Sequence, residues 1–144
     1  MRIAVPCREG LDFNVTPGGL VGKRLTDEER AWRSETERDF QTRTISLARQ
    51  VGWRVSHFDH SRKMVRRGHS YIMVGDPDAQ GFPDLVLARG AVLIFWELKR
   101  QLGQLRPGQQ EWIDALAQTG LEAKVVRPSD WDTHMVPTLT AKPR

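Results

Sequence analysis

The stretch GFPDLVLARGAVLIFWELK, Gly81 to Lys99, constrains the fold more than any other part of the sequence. Two aliphatic, β-branched and aromatic runs, Leu85 to Ala88 and Ala91 to Leu98, are separated by Arg89-Gly90, where a glycine supplies the positive φ of a tight hairpin turn. A turn centred between Arg89 and Gly90 predicts that Ala88 faces Ala91, Val86 faces Leu93 and Asp84 faces Phe95. Opposed residues share a face, and side chains alternate along each strand. Asp84, Glu97 and Lys99 then lie on one face with Val86, Leu93 and Phe95, while Leu85, Leu87, Val92, Ile94, Trp96 and Leu98 form the other. Both faces need cover. The expected fold is therefore α/β, a sheet with helices on both sides.

In this register Asp84 and Glu97 are diagonal neighbours, with backbones roughly 7–8 Å apart, so their side chains can converge on one cation. Two carboxylates at the edge of an apolar sheet are costly unless neutralised. A hard divalent ion such as Mg²⁺ takes one or two protein carboxylates together with water and phosphate oxygens. Lys99 would then hold or polarise an attacking water and offset charge on a phosphate. The structural alternative is an ion pair at a strand end, Asp84 with Arg89 or Glu97 with Lys99. Pro-Asp followed by Glu-x-Lys is a short pattern with many chance matches, so the flanking segments must decide.

Residues 1–33 read as an irregular N-terminal arm, rich in Pro and Gly, ending in a short helix capped by Thr26 and running to about Arg33. A clearer helix follows: Thr36 caps it, Phe40, Thr44, Leu47, Ala48 and Val51 form its stripe, and Gly52 ends it. Glu37 and Gln41 stand one turn apart at the start of that stripe and are expected to point toward the sheet. Alone, Glu37 also fits a first-turn acid that complements the helix dipole. WRVSHF, Trp53 to Phe58, reads as a strand. From Asp59 to Gln80 the pattern dissolves, with a short strand possible at Tyr71 to Val74. Arg62, Lys63, Arg66, Arg67 and His69 make this a candidate phosphate-gripping segment, and a solvated charge run is the plainer reading. A helix after Pro107 carries Gln109, Trp112, Ile113, Leu116 and Ala117 on one face, and Leu121 to Arg127 reads as a strand. The tail from Thr133, residues 133–144, lacks periodicity and is expected to be mobile.

Taken together, ERDFQTRTISLARQVGWRVSHF, GFPDLVL, FWELKRQLGQLRPGQQEW and VVRPSDW resemble the VRR-NUC domain of the PD-(D/E)xK nuclease superfamily. The resemblance runs from about Ser34 to Trp131, with residues 34–132 as the nuclease-like domain. It implies a restriction-endonuclease-like αβββαβ core, a mixed central sheet flanked by helices. It also implies that Asp84 and Glu97 ligate Mg²⁺, or Mn²⁺ in its place, with the backbone carbonyl of Leu98. Lys99 would orient the water, Glu37 would be an additional acid, and Gln109 a polar residue facing the site. Relatives of this kind cut phosphodiester bonds in DNA, and standalone ones resolve four-way junctions as homodimers. The resemblance thus leads us to expect a metal-dependent endonuclease acting on branched DNA. A non-catalytic DNA-binding or assembly module with the same fold is the reading from a different class.

Composition narrows the rest. A hydrophobic content of 39% and a net charge of +4 suit a folded domain with a polyanionic partner. No apolar run approaches the roughly 20 residues that span a bilayer, so a cytoplasmic protein without membrane contact is expected. Cys7 is the single cysteine, which excludes an intrachain disulfide or a cysteine-based zinc cage. The histidines have no HExxH spacing and there is no Walker-type glycine loop, so neither zinc nor a nucleotide cofactor is expected.

Overall fold

The computed structural model describes residues 14–15, 21–58, 63–74 and 80–142. Within the arm, β1 (Asn14–Val15) pairs antiparallel with β2 (Val21–Gly22). Helix α1 (Asp27–Ser34) starts where expected: Thr26 Oγ1 accepts from the Glu29 amide at 3.1 Å, and the Glu29 carboxylate accepts from the Thr26 amide at 2.8 Å. Helix α2 (Glu37–Gln50) is capped by Thr36, whose hydroxyl accepts from the Asp39 amide at 3.1 Å. These caps satisfy amides that a first helical turn otherwise leaves without partners. Arg43 of α2 is held on Glu35 through two 2.7 Å hydrogen bonds and lies over the Trp131 ring, 3.9 Å from its centroid.

Beyond α2 come β3 (Arg54–His57), β4 (Lys63–Arg67), β5 (Ser70–Val74), β6 (Leu85–Arg89), β7 (Val92–Leu98), α3 (Gln109–Gln118) and β8 (Glu122–Val126). The central sheet has the order β3-β6-β7-β8; β8 runs parallel to β7 and the other neighbours are antiparallel. The result is the mixed αβββαβ layout, with β4 and β5 forming a separate two-stranded hairpin between β3 and β6. The segment read as patternless thus contains strands on both sides of Gly68-His69, not only at Tyr71 to Val74.

The hairpin register differs from the expected one. Arg89 pairs with Val92, Val86 with Phe95 and Leu85 with Trp96, so the two-residue loop is Gly90-Ala91. Gly90 has φ 59° and occupies the first central position of the turn, leaving Arg89 in the strand. Every partner moves by two residues. A shift of two preserves the face of each side chain, whereas a shift of one would have inverted them all. Continued by one step, the register sets Asp84 directly opposite Glu97 rather than diagonal to it.

Both faces are covered as expected. Phe40 and Ala48 of α2 pack with Trp53, Leu85, Leu87, Ile94, Trp96, Leu98 and Val126 in one buried cluster. On the other face Ile113 of α3 packs with Phe95 and Ala123, flanked by Phe82, Val86, Leu93 and Leu116. The expectation of a mobile tail requires correction. The chain forms a 3₁₀ turn (Pro128–Asp130), a π-helical turn (Trp131–Met135) and α4 (Val136–Thr140), and Met135 and Leu139 are fully buried in the first cluster. Pro137 lies in the first turn of α4, where a missing amide costs nothing. The Trp53 indole donates to the Leu139 carbonyl at 2.9 Å, and the Arg89 guanidinium donates to the Val51 and Leu139 carbonyls at 2.9 and 2.8 Å.

Candidate active site

Phe82-Pro83-Asp84 enters β6 from a turn that is sterically fixed. Gly81 has φ 84°, and a Cβ there would lie 2.4 Å from the Gly108 carbonyl carbon and 2.7 Å from the Gln109 amide nitrogen. Only glycine allows this approach. The strand-entry loop is thereby pressed against the start of α3. Phe82 is wedged edge-on against Phe58, Phe95 and Trp112, with ring centroids 5.1 to 5.9 Å apart, and Pro83 is buried. Asp84 then accepts the Leu98 amide on Oδ2 at 2.9 Å, and its carbonyl accepts the Phe58 amide at 2.9 Å.

Glu97 is fully buried near the end of β7 and Lys99 is 7% exposed just beyond it. The Lys99 ammonium donates to Glu97 Oε1 at 2.5 Å, and the Gln109 side-chain amide donates to the same oxygen. Gln109 is oriented in turn by the Arg106 amide, which donates to its Oε1 at 2.7 Å and so turns the NH₂ group toward Glu97. Glu97 Oε2 is buried without a hydrogen-bond partner. Burial pushes the Glu97 carboxyl up to about 7, the hydrogen bond from Lys99 opposes this, and the Asp84 charge adds to the rise.

A buried, unpartnered carboxylate oxygen beside a second carboxylate is expensive in isolation. Its surroundings fit a hard cation: oxygen donors from Asp84 and Glu97, with neither thiolate nor imidazole nearby among the described residues. The same geometry contains the Glu97–Lys99 ion pair of the structural alternative. Arg89, the other partner considered for Asp84, instead binds backbone carbonyls and covers the Trp53 ring at 4.4 Å.

The structure therefore brings Asp84, Glu97, Lys99 and Gln109 together, and Leu98 joins them through its amide. Glu37 is not gathered with them. Its side chain is exposed in the first turn of α2, and among the described residues no three His, Cys, Asp or Glu side chains are grouped closely enough to hold a metal. The stripe that α2 buries is Phe40, Thr44 and Ala48, and Glu37 stands on the solvent side of the first turn, where it complements the helix dipole. Of the basic candidates, Lys63, Arg66 and Arg67 belong to β4 and His69 to the following turn; Arg66, Arg67 and His69 are exposed, and Arg62 lies outside the described residues. Sequence reasoning missed the Gly81–Gly108 contact and the Arg106 amide behind Gln109. A glycine just before each motif was the available signal.

The layout is that of a restriction-endonuclease-like fold, with the two carboxylates and the lysine on one edge of its central hairpin. The VRR-NUC domain model matches residues 77–130, and this match indicates a nuclease-type, DNA-processing function. The match contains Asp84, Glu97, Lys99 and Gln109 and begins well after Glu37. Comparisons with curated proteins and with solved structures returned no match. Among the described residues no helix is long and apolar enough to cross a membrane.

Proposed function

We propose that this chain is a divalent-metal-dependent endonuclease that hydrolyses DNA phosphodiester bonds at the Asp84–Glu97–Lys99 site. The observation that carries the reading is the divided role of Glu97, which gives one oxygen to Lys99 and Gln109 and leaves the other buried without a partner. A purely structural ion pair gains most when all its buried oxygens are satisfied. Asp84, Glu97 and the Leu98 carbonyl would hold Mg²⁺ or Mn²⁺, which supplies Lewis-acid stabilisation of charge on the phosphate oxygens.

The chain's own groups do the positioning. Lys99, fixed by Glu97, holds the nucleophilic water by a hydrogen bond and offsets charge on the phosphate as the water oxygen bonds to phosphorus and the bond to the leaving oxygen breaks. The proton lost from the water passes to solvent, and the leaving oxygen takes one from solvent. Gln109 keeps the Glu97 carboxylate from rotating away. Arg66 and Arg67 on the exposed hairpin contribute phosphate contacts. We extend the reading to branched DNA, four-way junctions included, cut by a homodimer, because paired cuts in a twofold-symmetric junction are best served by a twofold-symmetric protein.

The test is cleavage of labelled four-way junction, flap, duplex and single-stranded DNA with Mg²⁺, Mn²⁺ or EDTA. Metal-dependent products, strongest on the branched substrates and paired on the junction, are expected. Binding across the panel with no metal-dependent product would replace this reading with a non-catalytic DNA-binding module.

A further inference from the structure

The β4–β5 hairpin forms a sheet of its own beside the central one, and its tip has a distinct chemistry. Arg66 on β4 pairs in register with Tyr71 on β5, so the two side chains leave the hairpin from the same face. Arg67 pairs with Ser70 across the two-residue turn Gly68-His69, in which Gly68 has φ 61°. Arg66 Nε donates to the Gly68 carbonyl at 3.1 Å, which holds the guanidinium back over the turn. Tyr71 is 66% exposed, and the side chains of Arg66, Arg67 and His69 are exposed around it.

Both roots of this insertion are fastened to backbone that carries residues of the site. Phe58, before it, donates its amide to the Asp84 carbonyl at 2.9 Å; Gly81, after it, packs on Gly108 and Gln109. At no more than about 3.6 Å per residue, Lys63 stays within roughly 18 Å of Phe58. The other exposed large hydrophobics among the described residues are Phe58 itself and Leu102, three residues past Lys99. Exposed aromatic and apolar groups therefore collect on the segments that leave the site rather than on the backs of the helices.

We infer that Tyr71 and Arg66 form a subsite for one unstacked nucleotide of the DNA, the base lying on the Tyr71 ring and its phosphate on the Arg66 guanidinium. This rests on the reading of the site as a DNA-cleaving centre. A π-face accepts any base but only one that has left the stack, so the subsite distinguishes unpaired nucleotides from intact duplex without reading sequence. Arg67, across the turn, contacts phosphate in either case.

The experiment measures binding of the full chain in EDTA, so that no cleavage intervenes, to a blunt duplex and to the same duplex with a single-stranded overhang containing 2-aminopurine. Wild type should change the 2-aminopurine fluorescence on binding. Tyr71→Ala should weaken overhang binding about tenfold and leave blunt-duplex binding unchanged, while Tyr71→Phe retains wild-type affinity. Arg67→Ala should weaken both DNAs and lower the salt dependence. Equal losses on both DNAs in Tyr71→Ala, or none on either, overturn the subsite, as does loss in Tyr71→Phe. Because Tyr71 is exposed and outside the core, its replacement leaves the fold intact, which thermal unfolding checks. A wild type that binds DNA but never cuts it with Mg²⁺ would sink the nuclease reading and leave this test readable.

Discussion

Lys99 and Glu97 are bound to each other at 2.5 Å in a pocket where neither is more than slightly exposed, yet the second oxygen of Glu97 has no partner. Buried charge that is only half satisfied is where stability and chemistry should separate most clearly.

The first consequence is a pH dependence with a defined sign. The Glu97 carboxyl is raised by burial from its ordinary 4.5 to about 7, so between these values the folded chain keeps a proton that the unfolded chain releases. Stability from this group is full below pH 4.5, falls as pH rises, and has been lost once pH passes about 7, a change on the order of a few kcal/mol. Denaturant unfolding in EDTA from pH 5 to 8 should show this decline in wild type and a flatter profile in Glu97→Gln. The same decline in both proteins would contradict it.

Cation binding should reverse that loss where the carboxylate is ionised. Added Mg²⁺ is expected to raise the unfolding midpoint more at pH 8 than at pH 5.5, and Asp84→Asn should abolish the difference. That variant keeps an oxygen to accept the Leu98 amide, so its stability without metal should stay within about 1 kcal/mol of wild type. Calorimetric titration of Mg²⁺ into both proteins measures this directly; equal heats would remove Asp84 from the metal site.

Gly81→Ala tests the steric link between the Asp84 loop and α3. A methyl group there meets backbone atoms at 2.4 to 2.7 Å in addition to an unfavourable φ of 84°, so a loss of at least about 2 kcal/mol is expected. Gly120→Ala has a similar φ of 83° and nothing within 4 Å, and should cost only about 1–2 kcal/mol. Similar losses in the two variants would mean that conformation alone, not contact with Gly108, explains Gly81.

Much of this arrangement was legible in the chain because side-chain period survives small errors. A turn centred one residue too early still puts Asp84, Glu97 and Lys99 on one face, because each partner differs by two. Glu37 was harder. Helical period gives the angle of a side chain about the axis but not how far the helix runs past the sheet, and the first turn of α2 leaves Glu37 in solvent. Met135 and Leu139 stand one turn apart, but Pro137 between them reads as a breaker unless its place in the first turn of α4 is known. The contact of Gly81 with Gly108 is a long-range steric fact: each glycine marks a place where backbone could approach closely, but nothing local pairs the two.

Arg89 shows how that C-terminal segment is held. Its guanidinium ties β6 to the carbonyls of Val51, Leu139 and Ala141 and covers the Trp53 ring. Arg89→Ala should destabilise the chain by about 2–3 kcal/mol, since it strands carbonyls and removes packing, while leaving cleavage below the unfolding transition unchanged. A change within 0.5 kcal/mol, roughly the scatter of neutral surface substitutions, would contradict that role.

Single-turnover cleavage of a branched DNA by wild type and Lys99→Ala, each with Mg²⁺ and with EDTA, decides whether Asp84, Glu97 and Lys99 form a metal-dependent cleavage site. Cleavage is expected from wild type in Mg²⁺ alone, with a loss of at least about a hundredfold in Lys99→Ala and DNA binding retained. Cleavage that persists in EDTA, or an unimpaired rate without Lys99, would show that the Asp84–Glu97–Lys99 site is not where the bond is broken.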